Sequence, residues 1–171
     1  IQLMNDSHKR PRMDIPKTMS EWVWDIIGFT AYFFSVFLLI YVWNDLPDKV
    51  PAHYNILGEV DRWGSKGTLI VLPFIAAFLA LIMTGLEKFP HVHNYPERFN
   101  ENNAAQFYLN SRKMLNQLKN VCLIMFSLIT VESISIPMGW GFRLGMWFFP
   151  LFLIAMALPV VFGLMRQRRI R

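Results

Sequence analysis

The stretch IIGFTAYFFSVFLLIYVW, residues Ile26 to Trp43, decides the fold class of this 171-residue chain. It contains no charged residue, and a helix needs about 20 mostly apolar residues to cross the roughly 30 Å hydrocarbon core of a bilayer. Trp22 and Trp24 precede the stretch, and Tyr41 lies near its end, where aromatic residues anchor membrane helices at the interface. The stretch therefore predicts a membrane-spanning helix.

Three further segments meet or approach the same requirement. They are Gly67–Leu86, Leu118–Met138 and Leu144–Met165. The third span contains one ionisable residue, Glu132, and is long enough to cross a bilayer only if that residue is tolerated. Hydrophobic residues make up 54% of the chain and charged residues only 17%, which is too apolar for a typical soluble domain. We predict an all-α integral membrane protein with four transmembrane helices.

The distribution of basic residues predicts the orientation of these helices. Basic residues lie just before the first span and just after the last: Lys9, Arg10, Arg12, Lys17, Arg166, Arg168, Arg169 and Arg171. An even number of spans places both tails on one side, and the positive-inside rule puts that side in the cytoplasm. We therefore expect a multi-pass membrane protein, surrounded by membrane lipids, with both termini in the cytoplasm.

This topology divides the chain into five parts. They are a cytoplasmic N-terminal tail (1–21), the first two membrane helices with an outer loop between them (22–87, loop 44–66), a cytoplasmic loop (88–119), the third and fourth helices (120–165) and a basic C-terminal tail (166–171). The cytoplasmic loop has the apolar spacing of an amphipathic helix. That helix could lie on the membrane surface and run into the third span, or it could pack on the inner ends of the bundle.

The outer loop has the composition of an ordered cap. Pro47 and Pro51 hold their preceding residues extended, and Gly58 and Gly64 supply turn positions. A connection of this length without helical spacing is unusual for a flexible tether. We predict a folded extracytoplasmic loop with a possible short β-hairpin around HYNILGEV.

The same loop carries the candidate residues for binding a ligand or partner: His53, Asn55, Glu59, Asp61, Trp63 and Lys66. Their polar groups could converge on a ligand, or they could bond to turns and to one another. One histidine with irregularly spaced carboxylates lacks the pattern of a known metal site, so we predict neither a metal nor another cofactor. A membrane enzyme with a metal at His53, Glu59 and Asp61 remains the alternative that this loop leaves open.

Glu132 is the main candidate inside the membrane, together with Arg143 beyond the last outer turn. An ionisable group within a span is costly and usually faces a polar cavity or a partner. Glu132 could be a proton- or ligand-linked carboxylate, or it could close the outer end of the bundle through an ion pair. The pair His91 and His93 lacks a third ligand, and the membrane thickness separates it from His53.

No motif for enzymatic chemistry or for nucleic-acid binding is present. The segment GSKG lacks the spacing of a phosphate-binding loop, and serine and histidine form no nucleophile motif. Aromatic residues lie in apolar runs rather than beside a basic patch, which argues against nucleic acid as a partner. We expect a protein that is not an enzyme.

The order and spacing of residues in the outer loop resemble a known signature. The matching residues are Leu46, Pro47, Val50, Pro51, His53, Asn55, Gly58, Asp61, Trp63, Gly64, Ser65 and Lys66. The stretch resembles the bacterial membrane family called domain of unknown function 1648, which also forms the N-terminal part of SdpI-type immunity proteins. A looser resemblance to stand-alone members of that family extends through HNYPERFNENNAAQFYLNSRKMLNQLK.

This resemblance implies a membrane helix, the signature loop and a second helix, in a protein of the bacterial cytoplasmic (inner) membrane. It also suggests a role related to immunity against a secreted antimicrobial peptide. We predict a membrane binding or signalling module whose outer loop recognises a peptide or another membrane protein. The alternative is a small transporter, or a transporter subunit, that uses the intramembrane carboxylate of Glu132.

Overall fold

The structure, a computed structural model, describes residues 10–171 and contains four long helices and one two-stranded antiparallel sheet within that range. The elements in chain order are α1 Met19–Val42, β1 Lys49–Tyr54, β2 Val60–Ser65, α2 Thr68–Lys88, a 3₁₀ turn Pro90–Val92, α3 Ala104–Met138 and α4 Phe148–Arg169. All four helices are long and apolar enough to cross a membrane. The predicted four-span all-α fold and the short β-hairpin are confirmed.

α3 is the central helix, and α1, α2 and α4 each pack against it. It is the most buried of the four helices, and α4 is the least buried. A helix of 35 residues is about 52 Å long, which exceeds the thickness of a bilayer core. α3 therefore also forms one end of the molecule. We call this end, where the first and last described residues lie, the terminal end, and the opposite end the hairpin end.

Two helices extend beyond the boundaries expected from sequence. α1 begins at Met19, because Thr18 and Glu21 form a capping box in which each side chain bonds to the backbone of the other. α4 continues to Arg169 through most of the segment assigned to a C-terminal tail. Arginine is a good helix former, and cations are favourable at a helix C-terminus. Lys9 and the first eight residues of the tail lie outside the described residues.

The amphipathic segment before residue 119 is the first half of α3 and is continuous with the third span. Phe107 and Tyr108 are fully buried and pack against Tyr95 and Phe99 in an aromatic cluster. The Tyr108 hydroxyl also donates a hydrogen bond to the Pro11 carbonyl at 3.0 Å. The segment thus packs against the rest of the bundle, which is the second of the two expected alternatives.

Candidate functional site

The loop between α1 and α2 folds as a β-hairpin with an asparagine-centred turn. Asn55 Oδ1 accepts hydrogen bonds from the backbone nitrogens of Leu57 at 2.9 Å and Glu59 at 3.0 Å. Gly58 has a φ of 76°, a left-handed conformation that favours glycine. A Cβ on Gly58 would also lie 2.5 Å from the Gly145 carbonyl oxygen. Asn55 and Gly58 therefore shape the turn and let it approach the loop before α4.

The hairpin is anchored to the bundle by both strands. Val50 is fully buried in a core cluster with Leu39 and Leu69. The Tyr54 hydroxyl lies 2.7 Å from Ser133 Oγ on α3. Lys66 Nζ donates to the Trp43 carbonyl at 2.6 Å and lies over the ring of that residue. The hairpin is thus an ordered cap on the helices.

A cavity of about 390 Å³, which we call the hairpin cavity, lies between the hairpin, α2, α3 and the start of α4. Its apolar wall includes Leu69, Leu72, Ile129, Phe148 and Phe149. Its polar lining includes His53, Tyr54, Asn55, Arg62, Glu132 and Ser133. Ligand sites in proteins have this size and this mixture of apolar walls with a few convergent polar groups.

Glu132 lines the hairpin cavity from α3, and its side chain is only 3% exposed. Its Oε1 accepts a hydrogen bond from the backbone nitrogen of Leu144 at 3.2 Å. Arg143 Nε lies 3.8 Å from the same oxygen, at the long limit of an ion pair, and half of its side chain is exposed. The two residues thus lie side by side, but the carboxylate is only lightly partnered.

Tyr54 gives the hairpin cavity a neutral hydroxyl. Burial raises the pKa of Tyr54 to about 12, the hydrogen bond with Ser133 opposes this rise, and the negative charge of Glu132 adds to it. The phenol therefore stays protonated at neutral pH and can donate a hydrogen bond. Its one proton is available to Ser133 or to a ligand.

The other residues expected at the site do not converge on one point. His53 Nδ1 lies 2.6 Å from Asp61 Oδ1 across the hairpin, and both side chains are well exposed. The Asn55 amide donates to the Glu59 carboxylate at 3.2 Å. Glu59, Asp61, Trp63 and Lys66 do not line the cavity, whereas His53 and Asn55 do. Within residues 10–171, no three histidine, cysteine or acidic side chains cluster as metal ligands.

A second polar cluster lies near the terminal end, within the helices. The Lys119 side chain is 1% exposed, and its Nζ lies 2.9 Å from Asp25 Oδ1 and 2.8 Å from Glu87 Oε2. The amides of Asn116 and Asn120 each donate to Asp25 Oδ1 at 2.8 Å. We call this set the Lys119 cluster. It connects α1, α2 and α3 through hydrogen bonds and ion pairs.

An adjacent ion pair ties the N-terminal segment to the Lys119 cluster. Arg112 Nε lies 2.6 Å from Glu21 Oε1, and its other nitrogens donate to the carbonyls of Ile15 and Pro16. Lys17 also pairs with Asp25. The extended segment before α1 is therefore held across the end of the bundle by α3.

The division of the chain from sequence puts Lys119 at the end of the cytoplasmic loop 88–119 and Asp25 at the start of the first membrane helix, and it does not bring the two residues together. The available signal is the spacing of Asn116, Lys119 and Asn120, which puts three polar groups on one face of α3. The same face continues into apolar Leu123, which is buried. A polar patch that continues an apolar face indicates a buried cluster rather than a solvated one.

In the histidine pair at the terminal end, His91 and His93, the ring of His93 is held by two hydrogen bonds. His93 Nε2 donates to the Leu86 carbonyl at 2.8 Å, and Nδ1 lies 2.7 Å from Ser111 Oγ. Burial lowers the pKa of His93, although the bond to Leu86 opposes this shift. Burial also lowers the pKa of His91, with the charges of Arg12 and Arg10. Both ring nitrogens of His93 are occupied, so this ring is not arranged as a metal ligand.

Comparisons with known proteins found a family model and a relative that each match part of the chain. A family model described as Domain of unknown function (DUF1648) matches residues 31–77, which cover the second half of α1, the hairpin and the first half of α2. An uncharacterized protein of Archaeoglobus fulgidus is 35% identical over 81 residues, which are 46% of this chain and 42% of the relative. No solved structure matches the chain. Residues 31–77 are thus similar to the domain of unknown function 1648, and they lie within a bundle of four helices long and apolar enough to cross a membrane.

Proposed function

We propose that the protein is a membrane binding module that takes an apolar peptide segment bearing a cationic group into the hairpin cavity. The observation that carries this proposal is the position of Glu132, a buried carboxylate with few partners at the wall of an apolar cavity. A cationic group on a ligand would supply the charge that Arg143 supplies only at 3.8 Å.

The size of the cavity supports a segment rather than a folded partner. A volume of about 390 Å³ lies in the range of sites for small ligands. A folded protein partner would instead need a broad contact surface. His53 adds a directed group, because its Nδ1 is held by Asp61 and its Nε2 is left for a ligand. A secreted antimicrobial peptide, as the resemblance to immunity proteins suggests, would belong to this ligand class.

Signalling across the bundle would use α3. This helix carries Glu132 and Ser133 at the hairpin cavity and Lys119 at the other polar cluster. A ligand at the hairpin cavity can change the conformation of the terminal end only if it binds two conformations of the bundle with different affinity. We propose that a ligand contacting Glu132 shifts α3 and thereby the Lys119 cluster, with the hairpin end outside the cell and the terminal end in the cytoplasm.

The test uses synthetic peptides with one apolar sequence that ends in either lysine or glutamate. Binding is measured by fluorescence to the full chain in nanodiscs. We expect the lysine peptide to bind at least about tenfold more tightly, a difference of about 1.4 kcal/mol. Glu132→Gln should remove this preference. Equal binding of both peptides to the unaltered protein would contradict the proposal.

A pair of variants tests whether the cavity is the site. Leu72 lines the hairpin cavity, whereas Ile75, almost one turn later on α2, does not line it and is 42% exposed. Leu72→Phe should fill the cavity and weaken binding of the lysine peptide, while Ile75→Phe should leave binding unchanged. Binding that survives Leu72→Phe would place the peptide elsewhere.

A small transporter or transporter subunit is the second candidate. The observation that favours it is the presence of buried charged groups at two levels of α3, Glu132 near its C-terminal end and Lys119 near its middle. Such groups in spanning helices often mark ion or proton pathways. Proton flux into liposomes, read with an internal pH-sensitive dye, should be lost in Glu132→Gln. An unaltered protein without flux would contradict this candidate for protons.

A further inference from the structure

A groove at the terminal end lies between α3 and α4, apart from the hairpin cavity and the Lys119 cluster. It has a volume of about 500 Å³ and is lined by Gln117, Phe162, Met165, Arg166 and Arg169. Phe162 and Met165 are about half exposed and form its apolar part. Arg166 and Arg169 are three residues apart on α4 and therefore share one face. The groove thus joins an apolar surface to two cations.

The two arginines have no acidic partner within the described part of the chain. No carboxylate of residues 10–171 lies within 4.0 Å of either guanidinium, whereas Arg112 on α3 is paired with Glu21. The helix C-terminus beside them carries partial negative charge, which would disfavour an anion. Arg98 offsets this charge by donating to the Gln167 and Ile170 carbonyls.

The position of the groove on the bundle selects the ligand class. α4 spans the membrane, and its exposed apolar side chains continue from Phe162 toward the hairpin end through Leu158. Arg166 and Arg169 lie at the last turns of α4, and a spanning helix of this length places its last turns near the depth of the lipid phosphates. A ligand that fills both parts of the groove needs a phosphate and an acyl chain.

We propose that this groove binds the headgroup of an anionic phospholipid. Arg166 and Arg169 contact the phosphate, Gln117 donates a further hydrogen bond, and an acyl chain runs along Phe162. Any basic residue at this end would attract anionic lipid in general. If the lipid instead occupies the groove, its binding should depend on the arginines that line the groove and not on the other arginines. The proposal is independent of what the hairpin cavity binds.

The experiment compares two variants of equal charge in the full chain. Arg166→Gln/Arg169→Gln removes both groove cations, and Arg168→Gln/Arg171→Gln removes two cations that do not line the groove. Each protein is incorporated into vesicles of phosphatidylcholine with one-tenth phosphatidylglycerol, and native mass spectrometry measures the retained lipid. We expect the groove variant to lose phosphatidylglycerol enrichment about tenfold and the control variant to keep it.

Each other outcome overturns the proposal. Equal loss in both variants would show general attraction to the charged end, and no loss in either would show that the groove holds no anionic lipid. The phosphate in the groove could belong to a lipid headgroup or to a free phosphate ion. To distinguish them, inorganic phosphate is added to the lipid-free protein in neutral detergent. A rise in the thermal midpoint with phosphate alone, absent from the groove variant, would assign the site to a free anion instead.

Discussion

At the scale of single residues, the polar groups within the helices divide into paired and lightly partnered ones. Lys119 makes two ion pairs shorter than 3 Å, while the nearest cation to Glu132 lies 3.8 Å away. A buried charge without a partner is costly, so a close pair is expected for structural residues. This difference leads us to treat the Lys119 cluster as structural support and Glu132 as the ligand-linked group.

Lys119→Met should lower the free energy of unfolding by about 3 kcal/mol, because Glu87, whose side chain is 10% exposed, would lose the one cation that pairs with it among residues 10–171. Denaturant titration in mixed micelles measures the change. Lys113→Met is the control, because Lys113 lies on the same helix and has no carboxylate within 4.0 Å among residues 10–171. Adding Glu87→Gln to Lys119→Met should recover part of the loss. Equal stability of the two lysine variants would contradict the structural role.

His93 should make stability depend on pH. Burial lowers its pKa below the ordinary value of 6.5, so the unfolded chain binds more protons between the two pKa values. The stabilisation is complete above about pH 6.5 and is lost as the pH falls through the lowered pKa. We expect a lower thermal midpoint at about pH 5.5 than at about pH 7.5. His93→Gln should reduce this difference, and an unchanged difference would assign it to other groups.

At the scale of elements, the hairpin and the helix contacts have different origins. The hairpin follows from local signals, since Asn55 and Gly58 favour its turn and Val50 and Tyr54 face the bundle. The contact between α1 and α3 requires a close approach at Gly28, which no local pattern predicts. A Cβ at Gly28 would overlap the Asn120 side chain, whose amide is held by Asp25.

Gly28→Ala should therefore destabilise the protein by about 2 kcal/mol, because the fixed Asn120 side chain cannot move away without losing its hydrogen bonds. Gly85→Ala in α2 is the matched control, because a Cβ there meets nothing within 4 Å. It should be neutral or stabilise the helix by up to about 1 kcal/mol. The thermal midpoint in detergent compares the two variants. A stable Gly28→Ala protein would mean that α1 and α3 can separate at little cost.

At the scale of the whole molecule, α3 connects every other part. It carries the Lys119 cluster near its middle and Glu132 near its C-terminal end, and α1, α2 and α4 pack around it. The positive charges at the terminal end favour a cytoplasmic location for that end. If this orientation is right, the hairpin cavity opens toward the outside and the proposed lipid groove lies in the cytoplasmic leaflet.

Cysteine labelling measures this orientation. Cys122 is half-buried and is first replaced by alanine, after which Leu57→Cys marks the exposed hairpin tip and Glu101→Cys marks the terminal end. Leu57 is preferable to Asn55, whose side chain forms the turn. In intact cells, an impermeant maleimide should label the cysteine at 57 and should reach the cysteine at 101 only after lysis. The reverse pattern would invert the proposed topology.

The sequence by itself determined the four spanning helices and the ordered hairpin, because hydropathy over about 20 residues and turn preferences are local properties. It also indicated Glu132 as unusual, since an ionisable residue within an apolar run is visible without a structure. Only the tertiary structure decided that Lys119 is buried between Asp25 and Glu87, and that Glu132 lines a cavity under the hairpin. The physical reason is that burial and pairing depend on which faces of separate helices meet, and residues far apart in sequence supply those faces.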